Sequence, residues 1–273
     1  MKYLKSLLIA SVIFLMAGQA LMAQENKPEK IGLDFGLSYW TDYYYRGQSF
    51  YGANTGVFFP WVGYGGLGNF YFYLGGEVAA ETLGDWKDPD QRGGGKQWYG
   101  IDFIVSYSNT VADDLITLGG RVGYFTYPRS WDNTSSIPLY DFITVRFKIG
   151  FNVLLNPTLQ YDHNFWLDKG LESGHALDGY ITLSIGHSFG LTDAVSLNLG
   201  LKGSLWYDYR DAGEGTAGFG FSDMLASVGF SYAGAKGLSF NASMNMGHQF
   251  DDDLNYNNDD WKWFAKFGVS YSI

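Results

Sequence analysis

The sequence predicts a transmembrane, antiparallel up-and-down β-barrel of about twelve strands. Three observations carry that expectation. Apolar and polar residues alternate with period two along almost the whole chain, short and long connections alternate between the segments, and one apolar face runs unbroken to the last residue. The chain has no cysteine, although a secreted soluble domain would often carry disulfides; a closed ladder satisfies its backbone without them. The mean hydropathy of −0.12 suits a barrel, since only alternate residues face lipid. A formal charge of −10 argues against nucleic acid as a partner.

The first element is a leader. Lys2 and Lys5 open it, Leu7 to Ala17 form an apolar run, and Gln19-Ala20-Leu21-Met22-Ala23-Gln24 follows. This is the layout of a secretory signal peptide cleaved after Ala23, because the apolar run is short for a bilayer span. Residues 24–273 then form the barrel. Removing residues 1–23, two of them lysines, takes the formal charge from −10 to −12.

Strands are expected near 32–45, 51–59, 69–81, 98–108, 115–127, 139–153, 158–166, 178–189, 195–208, 219–232, 238–250 and 261–273. In the first, Leu33, Phe35, Leu37, Tyr39, Thr41 and Tyr43 share a face opposite Gly32, Asp34, Gly36, Ser38, Trp40 and Asp42. Alternation is weakest at 51–59 and 158–166. An even total follows if both termini lie on the periplasmic side. Short connections fall at Gly63–Asn69, Ser108–Asp114, Asn156-Pro157, Leu191–Ala194 and Ala233–Gly237. Longer, more polar ones fall at 82–97, 128–138, 167–177, 209–218 and 251–260, the asymmetry of periplasmic turns and outer loops. Each proline, Pro60 included, is assigned to a strand end or a loop, because a proline within a paired strand deletes a ladder bond.

In the last strand Trp263, Ala265, Phe267, Val269, Tyr271 and Ile273 make one apolar face, opposite Phe264, Lys266, Gly268, Ser270 and Ser272. It resembles the terminal strand that barrel-assembly machinery recognises, with Ile273 in place of the usual phenylalanine.

Near the end of the first strand stands Thr41-Asp42-Tyr43-Tyr44-Tyr45-Arg46-Gly47-Gln48-Ser49. It resembles the Ser-Asp-Tyr-x-x-Arg-Gly-x-Ser signature that opens the TorF family of outer-membrane porins, with Thr41 replacing the serine. The resemblance implies an outer-membrane barrel and a channel, and names no solute. Read from spacing alone, Asp42 and Arg46 share a face about 13 Å apart and cannot pair. Gly47 permits a left-handed turn, so the expectation is a structural role at the outer rim.

The residues expected to carry function are inward charges near mid-depth: Glu77, Asp102, Arg121, Arg146, Lys148, Lys202 and Lys266. Folding the hairpins about their loops sets Arg121 nearly opposite Arg146, and Asp102 beside Arg121. Two readings stay open. The charges can form a paired network that fills the barrel, since unpaired like charges are costly there. Alternatively they form a constriction that selects permeants by sign and size. Twelve strands lie between the filled eight-stranded barrel and the open sixteen-stranded one. The expected function is a narrow channel for small hydrophilic solutes, with a lean toward anions. A non-conducting structural or adhesive barrel is the alternative. Inward Trp40, Trp98, Tyr140, Tyr180 and Trp206 are read as lumen filler before a track for sugars or nucleosides.

Acidic loop residues (Asp85, Asp88, Asp90, Asp251-Asp252-Asp253, Asp259-Asp260) are read as a solvated surface facing lipopolysaccharide and outer-membrane lipid. Asp88-x-Asp90-x-Arg92-Gly93 fails as a calcium loop at Arg92 and at Tyr99, and Gly93-Gly94-Gly95-Lys96-Gln97 lacks the first glycine and the Ser/Thr of a phosphate loop. No metal or cofactor is expected. A barrel lipase or deacylase needs serine and histidine on one strand face. His163, His187 and His248 have no serine two residues away, and Ser173-Gly174-His175 falls in a loop.

Overall fold

The computed structural model describes residues 32–45, 48–49, 56–79, 99–126, 141–166, 179–208, 218–234, 237–250 and 261–273. Among them run β1 (Leu33–Trp40), β2 (Tyr44–Tyr45), β3 (Gln48–Ser49), β4 (Val57–Leu67), β5 (Phe70–Ala79), β6 (Tyr99–Val111) and β7 (Ile116–Thr126). There follow β8 (Phe142–Phe151), β9 (Thr158–Trp166), β10 (Gly179–Gly190), β11 (Val195–Asp208), β12 (Gly218–Ala233), β13 (Leu238–Gln249) and β14 (Trp261–Ser272). All but β2 and β3, which pair only with each other, close into one twelve-stranded antiparallel barrel. Closure is between β14 and β1, through Phe35↔Tyr271, Leu37↔Val269 and Tyr39↔Phe267. One more bond, from the Ile273 amide to the Leu33 carbonyl at 2.9 Å, completes the seam. A closed ladder leaves no strand edge to be satisfied, which lipid requires.

Directly paired residues share a face, so the register sorts inside from outside. Glu77, Asp102, Asp162 and Asp223 are buried, while Phe103, Leu183, Phe221 and Trp263 are exposed. That inversion is what strands with one face toward lipid and one toward a polar lumen produce. Outward aromatics gather at both ends: Tyr39, Tyr124, Phe165, Phe219 and Trp261 at the end of the long connections, and Tyr64, Phe151, Phe189, Tyr232 and Tyr271 at the other. Amphipathic rings favour the two membrane–water boundaries.

The structure differs from the sequence expectation in three places. The weak strand at 51–59 is β4, shifted to Val57–Leu67, and the turn expected at Gly63–Asn69 tightens to Gly68-Asn69, with Gly68 at a φ of 62°. Its inward face carries Phe59 and Trp61, so apolar residues line both faces and the alternation fades. Pro60 is therefore inside a strand. The β4–β5 pairing reaches Phe58↔Val78 and resumes at Trp61↔Gly75, so the ladder skips the proline that cannot donate to it. The first strand ends at Trp40 instead of 45, and Tyr44–Tyr45 pairs with Gln48–Ser49 in a separate ladder. Residues 1–23, Arg46, Gly47, Trp98, Tyr140, His175 and the acidic loop residues lie outside the described residues.

Candidate functional site

The inward wall from β8 to β12 holds a set of neighbouring charges. Arg146 of β8 stands opposite Asp162 of β9, and its Nε donates to Asp162 Oδ1 at 2.6 Å. Its second donor reaches Oδ2 at 3.4 Å, and Gln160 Nε2 donates to the same oxygen at 2.6 Å. Two residue pairs along the ladder, Thr144 donates to Asn164 at 2.8 Å. On the other side Asp162 pairs in register with Tyr180 of β10, whose hydroxyl donates to Asp223 Oδ1. Lys202 of β11 lies 3.4 Å from Asp223 Oδ2. A bulge places that carboxylate: the β11–β12 register shifts between Gly203 and Leu205, so Ser222 and Asp223 both stand opposite Ser204.

A second group lies on β5 to β7. Tyr43 Oη donates to Glu77 Oε1 at 3.0 Å, and Glu77 and Asp42 are buried. Arg121 stands opposite Arg146, as expected, and opposite Ser106 on its other side. Asp102 stands opposite Phe125, so the register expected for this hairpin is four residues out, because β6 runs on to Val111. The Arg121 guanidinium nevertheless lies over the Phe125 ring, 5.6 Å from its centroid, and attracts the Asp102 carboxylate. Lys266 of β14 faces inward beside Trp40, with Nζ 3.5 Å from the ring centroid, a cation–π contact. Lys148 faces inward opposite Gly119 and Gln160 and is exposed.

The signature segment is anchored at its first residue. Thr41 donates its amide to the Ala265 carbonyl at 2.9 Å, and its hydroxyl accepts from the Ala265 amide at 2.9 Å. A serine hydroxyl has the same reach, which accounts for the exchange at this position. Beyond it Asp42 is buried and Tyr43 packs edge-on against Trp40 and Phe59. Phe267, Val269, Tyr271 and Ile273 face outward along the closing seam.

Sequence reasoning missed Asp162, Asp223 and the tyrosine hydroxyl between them. Asp162 sits in a strand of weak alternation. Asp223 was signalled by a change of parity, since Phe219 and Phe221 face outward on odd numbers and Met224, Ala226, Val228 and Phe230 on even ones. His163, His187 and His248 face outward, against Tyr161, Phe189 and Trp261. Among the described residues no group of three or more His, Cys, Asp or Glu could hold a metal ion.

The barrel has counterparts among solved structures. It is similar to an outer membrane channel from Pseudomonas putida F1, at 11% identity over 91% of this chain and 100% of that one, with a TM-score of 0.52. It is similar to the KdgM porin, at 11% identity over 88% and 99% of the two chains, with a TM-score of 0.50. A weaker likeness, with a TM-score of 0.46 at 10% identity over 88% and 100%, is to LpxR from Salmonella typhimurium. The likeness to the first two is one of architecture, the outer-membrane barrel. No family model matches the sequence. No curated protein matches it either.

Proposed function

We propose that this chain is an outer-membrane channel of the TorF type for small hydrophilic solutes, with a lean toward anions. On this reading residues 1–23 direct export and are removed, and the barrel-assembly machinery recognises β14. The barrel sits among outer-membrane lipid and lipopolysaccharide. The observation that carries the proposal is how each inward ion pair is layered. In Arg146–Asp162 the base is 30% exposed and the acid 4%, and in Lys202–Asp223 the figures are 29% and 0%. The acids lie against the wall and the bases face the water-accessible interior. An entering ion therefore meets cationic heads first, and so does one that reaches Lys148. Charged groups around a narrow passage select permeants by sign in this way.

Single-channel recording of the refolded mature protein in a planar bilayer under a salt gradient tests this. Discrete steps with an anion-leaning reversal potential are expected. A protein that inserts and stays silent would replace the channel with a structural barrel.

A further inference from the structure

The lumen has two chemically different walls. Every inward base named above comes from β7, β8, β11 or β14, and the strands β1, β4, β5 and β6 contain no lysine, arginine or histidine. The base-free wall carries aromatic rings instead: Trp40 on β1, Phe59 and Trp61 on β4, and Tyr71 and Tyr73 on β5 all face inward by register.

Three of these rings, Trp61, Tyr71 and Tyr73, lie over glycines of the wall. A β-carbon on Gly36 would collide with the Trp61 indole, one on Gly63 with the Tyr71 phenol, and one on Gly75 with the Tyr73 phenol. The glycines give each ring a bare patch of backbone to lie on. The planes of Trp61 and Tyr73 are nearly parallel, with an interplanar angle of 24° and centroids 5.9 Å apart. Trp40 and Phe59, nearer the long-connection end, lie outside this surface: their rings are tilted 47° to each other at 4.9 Å, and the Lys266 ammonium and Tyr43 pack against them. Trp61, Tyr71 and Tyr73 are only partly buried. From Trp61 to the level of Tyr71 the track covers four residue steps, about 13 Å.

We infer that this wall is a binding track for a linear, uncharged pyranose oligosaccharide. A pyranose ring presents an apolar C–H face and a polar rim. The C–H face stacks on an electron-rich aromatic face, and the hydroxyl rim needs acceptors beside it. The acceptor this wall offers is the Asp34 carboxylate, which stands opposite Gly63 and is only partly buried, whereas Asp102, opposite Gly75, and Glu77 are buried. A wall with acids and no bases of its own disfavours acidic sugars. The inference rests on the channel reading for the sugar's entry, and it names the solute class of that channel.

The test titrates maltohexaose against the open channel in potassium chloride, with polyethylene glycol of similar hydrodynamic size as control. Intrinsic tryptophan emission of the detergent-solubilised protein is followed in parallel. Saturable current block by the sugar and none by the polymer is expected. Trp61→Ala and Tyr73→Ala should each raise the half-blocking concentration at least tenfold, while Trp61→Phe and Tyr73→Phe, which keep a ring and the fold, should change it far less. Equal block by the polymer, no block of a conducting channel, or indifference to both alanine variants overturns the track and leaves the channel standing. If the protein is silent, a saturable emission change lost in Tyr73→Ala upholds the track without the channel. No emission change ends both.

Discussion

At the residue scale, two of the lumen's inward bases reach carboxylates that are all but covered: Arg146 meets Asp162, and Lys202 meets Asp223. Arg146, Lys148 and Lys202 are conspicuous as bases among alternating small and polar residues. Their direction follows from parity alone. Asp162 is equally inward, but it lies in β9, where Thr158-Leu159-Gln160-Tyr161-Asp162-His163 mixes polar side chains onto both faces. The pair it makes with Arg146 has two donors on one carboxylate and a third from Gln160. Removing the acid strands a partly covered guanidinium and a glutamine amide. Asp162→Ala should therefore cost about 3 kcal/mol of stability, the order seen when one member of a covered pair is lost. Urea unfolding in lipid vesicles would measure it. Asp162→Asn, nearer in shape, should lose less stability and still shift the reversal potential toward anions, because it frees one positive charge facing the lumen. Loss of under 0.5 kcal/mol in the alanine variant would show that the pair is a surface-like contact worth little.

At the element scale, eleven of the twelve barrel strands stand where alternation puts them, within a few residues at their ends, β9 (Thr158–Trp166) among them. The two segments of weak alternation, of which only β4 is displaced, are weak for a physical reason. β4 puts Phe59 and Trp61 into the lumen, carries Pro60, and closes with Gly63, Gly65 and Gly66, so it reads like a turn region. β9 interrupts its outward face of Leu159, Tyr161 and Phe165 with His163. The bulge in β12 is a third device that period-two counting passes over, although the outward aromatics mark it by changing parity across Ser222-Asp223. Both bulge residues point inward, so deleting one restores strict alternation on both sides: Phe221 outward, one residue inward, Met224 outward. Deletion of Ser222 should be tolerated, with a midpoint of unfolding close to that of the parent. Asp223→Ala leaves the geometry alone and removes the acceptor shared by Tyr180 and Lys202, so it should destabilise by about 2–4 kcal/mol. Heat-modifiable mobility on gels ranks the two variants directly. The reverse ranking would mean that the bulge itself, and not the carboxylate it delivers, is what β12 contributes.

At the scale of the whole molecule, the barrel is a sorter of side chains, with its apolar half outside and its charges inside in two unlike walls. The sign preference of such a lumen is set by the charges that water reaches, since buried acids are compensated where they stand. Lys148 is the cleanest probe of that idea, because it is exposed, faces inward and belongs to neither ion pair. Lys148→Gln should leave stability within about 0.5 kcal/mol of the parent, as surface changes do. A unit charge acts on a passing ion with about 1 kcal/mol at close approach in water. Its loss should lower the chloride-to-potassium permeability ratio by about two- to fivefold. The effect should also depend on ionic strength. At 0.01 M the screening length is about 30 Å and the charge is felt across the lumen, whereas at 1 M it is about 3 Å. The difference between parent and variant reversal potentials should therefore be largest in dilute salt and nearly vanish in concentrated salt. A difference that persists unchanged at 1 M would point to a changed passage width instead of a lost charge. No difference at any salt would remove Lys148 from the filter and leave selectivity to the paired bases.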